Sequence, residues 1–258
     1  MDIKILVATH KKYWMPNDDI YLPIQVGAEG KEDFGYIKDN TGDNISIKNP
    51  NYCELTALYW AWKNLNCDYI GLCHYRRYFS HNIKGRFFRG RKASILSKSD
   101  IKHILLNYDI ILPLLITCKE SVKDGYYNNH YKKDLDIIEK IITTKYPNYL
   151  EDYYHIMNNN YLHFLNMFIM SIDKFHSYCS WLFPILFESE KYINTSSYNS
   201  YQSRVYGFLS ERLFNIWLHH NNFKIYETNI VSIHQNQKFL RKKIEQLQEY
   251  LNYKFFNN

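Results

Sequence analysis

In the stretch Asp68-Tyr-Ile-Gly-Leu-Cys-His-Tyr-Arg-Arg-Tyr-Phe79, a short apolar run ends abruptly in a histidine, two adjacent arginines and several aromatic rings. The run from Ile70 to Cys73 needs burial, so it predicts an interior strand, while the charged residues after it do not. In open α/β sheets, ligands sit beyond the carboxyl ends of the strands. A cationic cluster at such an end points to an anionic ligand held by Arg76 and Arg77. An edge strand followed by a solvated basic turn is the alternative.

The surrounding pattern supports an α/β reading. Ile3 to Ala8 is a second candidate for a buried strand, with Thr9-His10-Lys11 at the strand-to-loop junction where a Rossmann-like sheet meets a nucleotide. Tyr21 to Ala28 is β-leaning, and the polar stretch from Gly30 to Asn51 is long enough to suggest a functional loop. Asn49 and Glu54 provide start signals for a helix from about Tyr52 to Leu65, whose ring-rich face is expected to pack on the sheet. Strand, loop, helix and strand in that order fit a parallel α/β half.

Further along, Ile101 to Leu106 reads as a helix and Tyr108 to Ile116 as a buried strand. From His130 to Ile142 apolar residues recur at helical spacing, and His130 and Asp134 are expected to share a face. The region from Tyr149 to Trp217, including Asn166 to Met170, is aromatic and helix-leaning. Two basic segments stand apart. Lys84 to Lys92 could close over a phosphorylated ligand or touch anionic lipid, or be a solvated excursion. Residues 237–258 form an amphipathic basic pattern, read as a docking helix or a membrane-surface helix, beyond a single domain spanning residues 1–236.

Composition narrows the function. The chain has 258 residues, 46% of them hydrophobic, which suffices for a real core. A net charge of +6 is too modest to argue for nucleic acid, and the cations form no continuous stripe. Five scattered cysteines, an odd number without Cys-x-x-Cys spacing, fit a reducing cytoplasm. The amino terminus is unlike a signal peptide, and no apolar run reaches the roughly 18 residues needed to span a bilayer. A cytoplasmic protein, peripheral at the inner membrane face if the tail binds lipid, is expected. With nine glycines and no Gly-x-Gly-x-x-Gly or Walker pattern, a diphosphate would need side-chain cations or a metal. No metal-ligand set is evident. Asp134-Leu-Asp136 is no proper Asp-x-Asp site, because residues two apart on a helix diverge by about 200°. Common hydrolase and zinc-protease motifs are absent. Among carboxylates beside cations and aromatics, Glu54, Asp134 and Glu211 stand out. Glu211 reads either as an acid in the first turn of a helix from Leu209 to Leu218 or as a general base.

The segments Ile5 to Lys11, Ile24 to Ala28, Asn44 to Asn49, Tyr52 to Lys63, Gly71 to Phe79, Asn166 to Met170 and Gly207 to Leu213 together resemble a bacterial family. It is the capsular or exopolysaccharide biosynthesis glycosyltransferases, long carried as a domain of unknown function, with some members assigned as galactofuranosyltransferases. The resemblance spans about residues 3–230, and His-Tyr-Arg-Arg-Tyr-Phe is its most specific part. It implies an α/β Rossmann-like glycosyltransferase domain of the GT-A type with a helix-rich carboxy-terminal half. It further implies transfer of a hexose, galactofuranose among the candidates, from a UDP-sugar to a hydroxyl of a lipid-linked oligosaccharide. Thr9, His10, Lys11, Lys48, Asn49, Tyr52, His74, Arg76, Arg77 and Arg212 would then hold the donor, and Glu211 and Asp134 would be the catalytic carboxylates. Where typical GT-A members carry Asp-x-Asp, this chain has His74-Tyr-Arg76, which leaves a Mn or Mg requirement open. A non-catalytic glycan- or partner-binding module of polysaccharide assembly is the alternative; it would not require Glu211 or Asp134.

Overall fold

The computed structural model describes residues 1–81 and 92–233. The basic segment from Lys84 to Arg91 and the tail 237–258 lie outside the described residues. Lys92, at the edge of the former, places its ammonium 4.2 Å over the Trp14 ring.

Among the described residues, ten strands and eight α-helices form a mixed α/β structure. β1 (Ile3–Thr9), β2 (Tyr21–Gln25), β3 (Ile37–Lys38) and β4 (Tyr69–His74) pair in parallel in the order β3-β2-β1-β4. β5 (Arg77–Ser80) follows β4 after the two-residue turn Tyr75–Arg76, with His74 opposite Arg77. β6 (Ile110–Pro113), β9 (Phe168–Ser171) and β10 (Ile225–Ser232) complete the sheet. Its order is β3-β2-β1-β4-β5-β10-β6-β9, and β9 returns to pair antiparallel with β4. Five strands therefore close into a ring of pairings. At the crowded β4–β9 contact, a Cβ on Gly71 would lie 2.9 Å from the Phe168 carbonyl oxygen, so only glycine fits. β7 (Ile116–Thr117) and β8 (Tyr161–Leu162) make a separate antiparallel pair.

The strand expected from Tyr108 to Ile116 is shorter than its apolar run: β6 ends at Pro113, and the chain resumes as β7 in the other sheet. Asn166 to Met170, expected to be helical, holds β9 instead. A run of four apolar residues satisfies either period, and here the facing strands β4 and β6 decide.

The first helix is broken. α1 (Asn49–Tyr52) stops at Cys53, whose φ is 53°, and α2 (Leu55–Asn64) starts after it. Its ring-rich face packs on α7 (Ile172–Ser189) rather than on the sheet: Trp62 stacks on Phe183 at 5.6 Å and Tyr59 meets it edge-on at 5.0 Å. α3 (Lys98–Leu105) has a full capping box from Ser97 and Asp100. α4 (Val122–Asn129) ends before His130, and α5 (Lys132–Lys145) begins after Tyr131, so His130 and Asp134 share no helix. α6 (Leu150–Asn158), α7 and α8 (Val205–Asn221) pack together over one face of the sheet in the larger core cluster, and β1, β5, β6 and α3 share the smaller one. Among the described residues no helix is long and apolar enough to cross a membrane.

Candidate active site

A cleft of about 980 Å³ opens beyond the carboxyl ends of β1, β2 and β4. That position follows from the parallel strands, whose ends deliver His10, Val26 and His74 to one rim. The turn at Val26-Gly27-Ala28 is built by the buried Asp39, which accepts backbone hydrogen bonds from Gly27 at 2.7 Å and Ala28 at 3.0 Å and a third from the Ser46 hydroxyl. Gly27 has φ 59°, and a Cβ there would sit 2.5 Å from the Asn49 Oδ1. Asn49, which lines the cleft, can approach only because that Cβ is missing.

The cleft carries a cationic set, Lys31, Arg76, Arg77 and Arg204, with His10 beside it. Partial desolvation, and then the charges of Lys11, Arg76, Lys31 and Arg204, hold His10 below its ordinary value. Arg76 stands in the tight turn after β4, its guanidinium 4.9 Å over Tyr75 and 5.6 Å over Tyr13. Its buried Nε has no hydrogen-bond partner, and neither Arg76 nor Arg77 pairs with a carboxylate among the described residues. An unmet buried donor costs about 1–3 kcal/mol. Arg204, just before α8, donates from Nε to the Cys53 Sγ at 3.2 Å. Burial pushes the Cys53 thiol up to about 11, so it stays protonated at neutral pH and is no nucleophile.

The second set is carboxylic. Glu54 and Glu211 both line the cleft, organised by a turn at Leu165–Asn166. These two residues have φ of 83° and 51°, a left-handed pair that costs a non-glycine residue on the order of 1–3 kcal/mol. Its contacts explain its persistence. The Leu165 amide donates to Glu211 Oε1 at 2.9 Å, and His74 Nε2 donates to the Leu165 carbonyl at 2.7 Å, which fixes the protonated ring nitrogen. Asn166 Nδ2 donates to Glu54 Oε1 at 2.7 Å and to the Gly207 carbonyl at 3.2 Å, while Ser210 Oγ donates to Asn166 Oδ1 at 3.1 Å. Glu211 also accepts from Arg212 Nη1 at 3.1 Å. Burial raises the Glu211 carboxyl above its ordinary value, and Arg212 and the Leu165 amide oppose that shift. Glu211 lies well inside α8, which starts at Val205, so the expected first-turn position and its dipole role do not apply.

Of the residues expected at the site, His10, Asn49, His74, Arg76, Arg77 and Glu211 meet in the cleft, and six others do not line it. Thr9 is buried and exchanges hydrogen bonds with the Lys11 backbone, shaping the turn after β1. Lys11 stays close by, 5.5 Å over the Tyr75 ring. Lys48 is paired with Glu190 at 2.6 Å, and Tyr52 is a core residue stacked on Tyr206 at 4.5 Å. Arg212 bonds the Phe208 carbonyl and Glu211. Asp134 is buried on α5 and accepts from the Tyr198 hydroxyl at 2.7 Å. The sequence reading omitted Lys31, Arg204, Asn166 and Leu165, and it did not assign Glu54 a role. Lys31 lies in the long polar loop already suspected of function, and Asn166 heads one of the family-like segments.

Asp134 gives a test of its structural role. Its carboxyl is raised above its ordinary value, first by burial. A raised carboxyl pKa in the folded state means stability present at low pH and lost as pH climbs from the unfolded value of about 3.9 through the folded one. Asp134→Asn keeps the acceptor for Tyr198 without the charge. Its thermal midpoint is expected to exceed that of the wild type at pH 7, the gap closing as the pH is lowered through the carboxylate range. A lower midpoint at pH 7 would show that the charge itself is needed.

A model of the family described as domain of unknown function DUF4422 matches residues 4–222. The chain belongs to the DUF4422 family. The apo structure of WbbM, a bifunctional glycosyltransferase, matches with a TM-score of 0.85 at 31% identity, covering 92% of this chain and 46% of that one. This DUF4422 chain spans less than half the length of that protein. A search of curated proteins finds no match. Both matches agree with the bacterial capsular and exopolysaccharide glycosyltransferase resemblance carried by the sequence, and the matched residues include the cleft from His10 to Glu211.

Proposed function

We propose that this chain is a glycosyltransferase of the GT-A type. It moves a hexose, with galactofuranose among the candidates, from a UDP-sugar to a hydroxyl of a lipid-linked oligosaccharide in capsular or exopolysaccharide synthesis. The observation that carries this reading is the composition of the cleft: Arg76 on the turn after β4 and Arg77 at the start of β5, neither paired with a carboxylate among the described residues, and the carboxylates Glu54 and Glu211 in the same space. Diphosphate is the anion such a set suits, since fixed guanidinium groups can neutralise the charge that develops on a leaving diphosphate. A carboxylate beside it can receive the proton of the attacking hydroxyl. Arg76 and Arg77, with Lys31 and Arg204 beside them, would hold the diphosphate, and His10, Asn49 and His74 would flank it. Thr9 and Lys11 shape the adjoining turn; Lys48, Tyr52 and Arg212 support the walls through their own contacts. Contact with the inner membrane face, where the acceptor would lie, is assigned to the basic tail.

GT-A enzymes commonly use Mn or Mg. Among the described residues no group of three or more His, Cys, Asp or Glu side chains is placed to hold a metal ion, and Glu211 and His74 already have partners in the turn. No step is therefore routed through a metal.

A thermal-shift panel of UDP, GDP and CDP with available UDP-sugars, with manganese and with EDTA, tests the reading. A UDP-selective rise that survives EDTA is expected. A rise that requires manganese would overturn the arginine-only site, and no rise with any nucleotide would favour the binding-module alternative.

A further inference from the structure

We infer that Glu54 is the catalytic base and that Glu211 and Asn166 are positioning residues; the inference rests on the glycosyl-transfer reading above. The distinction comes from which carboxylate oxygens are already engaged. Both oxygens of Glu211 accept hydrogen bonds, Oε1 from the Leu165 amide at 2.9 Å and Oε2 from Arg212 Nη1 at 3.1 Å. The partners tie α8 to a strained left-handed turn, which is a mechanical task. To take a proton, Glu211 would have to loosen the contact that holds the turn in place.

Glu54 is differently situated. It occupies the N-cap position of α2, yet its side chain caps no backbone amide there. Short polar side chains at that position satisfy one of the free N–H groups of the first turn, and the longer glutamate is free for other partners. Here Oε1 is held instead by Asn166 Nδ2 at 2.7 Å, while Oε2 has no hydrogen-bond or ion-pair partner among the described residues. Asn166 is itself buried and fixed by Gly207 and Ser210. One oxygen is anchored and the other is left for the cleft, the arrangement a positioned base requires. The break at Cys53, with φ 53°, is what sets Glu54 at the head of a new helix rather than inside a continuous one.

The step is a single displacement with inversion. The acceptor hydroxyl oxygen forms a bond to the anomeric carbon. The bond from that carbon to the diphosphate oxygen breaks, its electron pair leaving with UDP beside Arg76, Lys31 and Arg204. The hydroxyl proton passes to Glu54 Oε2. With water as acceptor the same steps hydrolyse the donor, so the assay needs no identified oligosaccharide.

The experiment uses the full chain and measures UDP released from UDP-galactose, UDP-galactofuranose and UDP-glucose across pH, with UDP affinity measured in parallel. Glu54→Gln keeps an acceptor for Asn166 and is expected to lower kcat by about 10²–10⁴-fold. It should leave UDP affinity within about twofold of the wild type and abolish the acid limb of the kcat profile. Glu54→Asp retains a carboxylate and should keep that limb at reduced kcat, which guards against a variant that merely folds poorly. Glu211→Gln should keep the acid limb. An acid limb that survives Glu54→Gln, or disappears only in Glu211→Gln, overturns the assignment and makes Glu211 the base. Retention of configuration in the transferred sugar overturns the displacement. Failure of the parent reading looks different: wild-type protein that binds UDP but releases none from any of these sugars counts against glycosyl transfer itself, and the inference falls with it.

Discussion

In Asn166→Ala, the thermal midpoint is expected to fall by roughly 6–12 °C and UDP release by about 100-fold. The Asn166 amide donates to Glu54 and to the Gly207 carbonyl and accepts from Ser210, so its loss removes three hydrogen bonds and strips Glu54 Oε1 of its partner, while Ser210 Oγ still donates to the Gly207 carbonyl at 2.8 Å. Alanine also tolerates φ 51° less well than asparagine, which visits the left-handed region more readily. Together these amount to about 3 kcal/mol, at roughly 2–4 °C per kcal/mol for a chain of this size. The effect on turnover is separate: Glu54 loses its anchor, and misplacement by about 1 Å can cost on the order of 10²-fold. Asn166→Gly divides the two causes. It relieves the backbone without restoring the amide, so the midpoint should recover in part while turnover stays low. Scanning fluorimetry and the UDP-release assay read both; an alanine variant with wild-type values would remove the turn from the account of the site.

Arg76→Ala and Arg204→Ala are each expected to weaken UDP binding by about 10- to 100-fold, the worth of one lost charge-assisted hydrogen bond. Arg76→Lys should fall between, since it keeps the charge and loses the planar fork. Stability should hardly move for Arg76→Ala, because the variant removes a buried Nε that has no partner in the protein. Calorimetric titration with UDP at two ionic strengths is the measurement. Unchanged affinity in both alanine variants would dissolve the cationic subsite, and a large fall in midpoint would recast Arg76 as a structural residue.

The parallel half of the sheet was legible because its strands are short apolar runs that end in polar residues, as at Thr9 and His74. The candidate cleft was legible where an apolar strand runs abruptly into charge, in His74-Tyr75-Arg76-Arg77, all four of which line it. What escaped depends on long-range partners. β9 reads as helix until β4 and β6 face it. The break at Cys53 is hidden because a cysteine carries no turn signal, although the Asn49 side chain donates to its carbonyl at 2.7 Å. Leu165 offers no local hint of a left-handed backbone, which is imposed by His74 and Glu211 from distant elements. Lys48 was expected at the donor, and only the fold brings Glu190 to it.

The placement of β10 sets an order of events. It lies between β5 and β6, with Ile225 beside Ile110 and Val231 opposite Tyr78, so the ring of strands closes through a segment synthesised long after its neighbours. While the chain emerges from the ribosome, β1, β2 and β4 can find one another early, but β5 and β6 each wait with an unpaired edge. Contacts this distant in sequence slow folding, and waiting edges invite pairing with other chains. Fast overexpression should therefore yield aggregates built from half-made chains, and slower synthesis at lower temperature should favour native protein. Because Ser232 and the arginine turn are joined only when β10 docks, the nascent chain has no complete cleft until its sheet is finished.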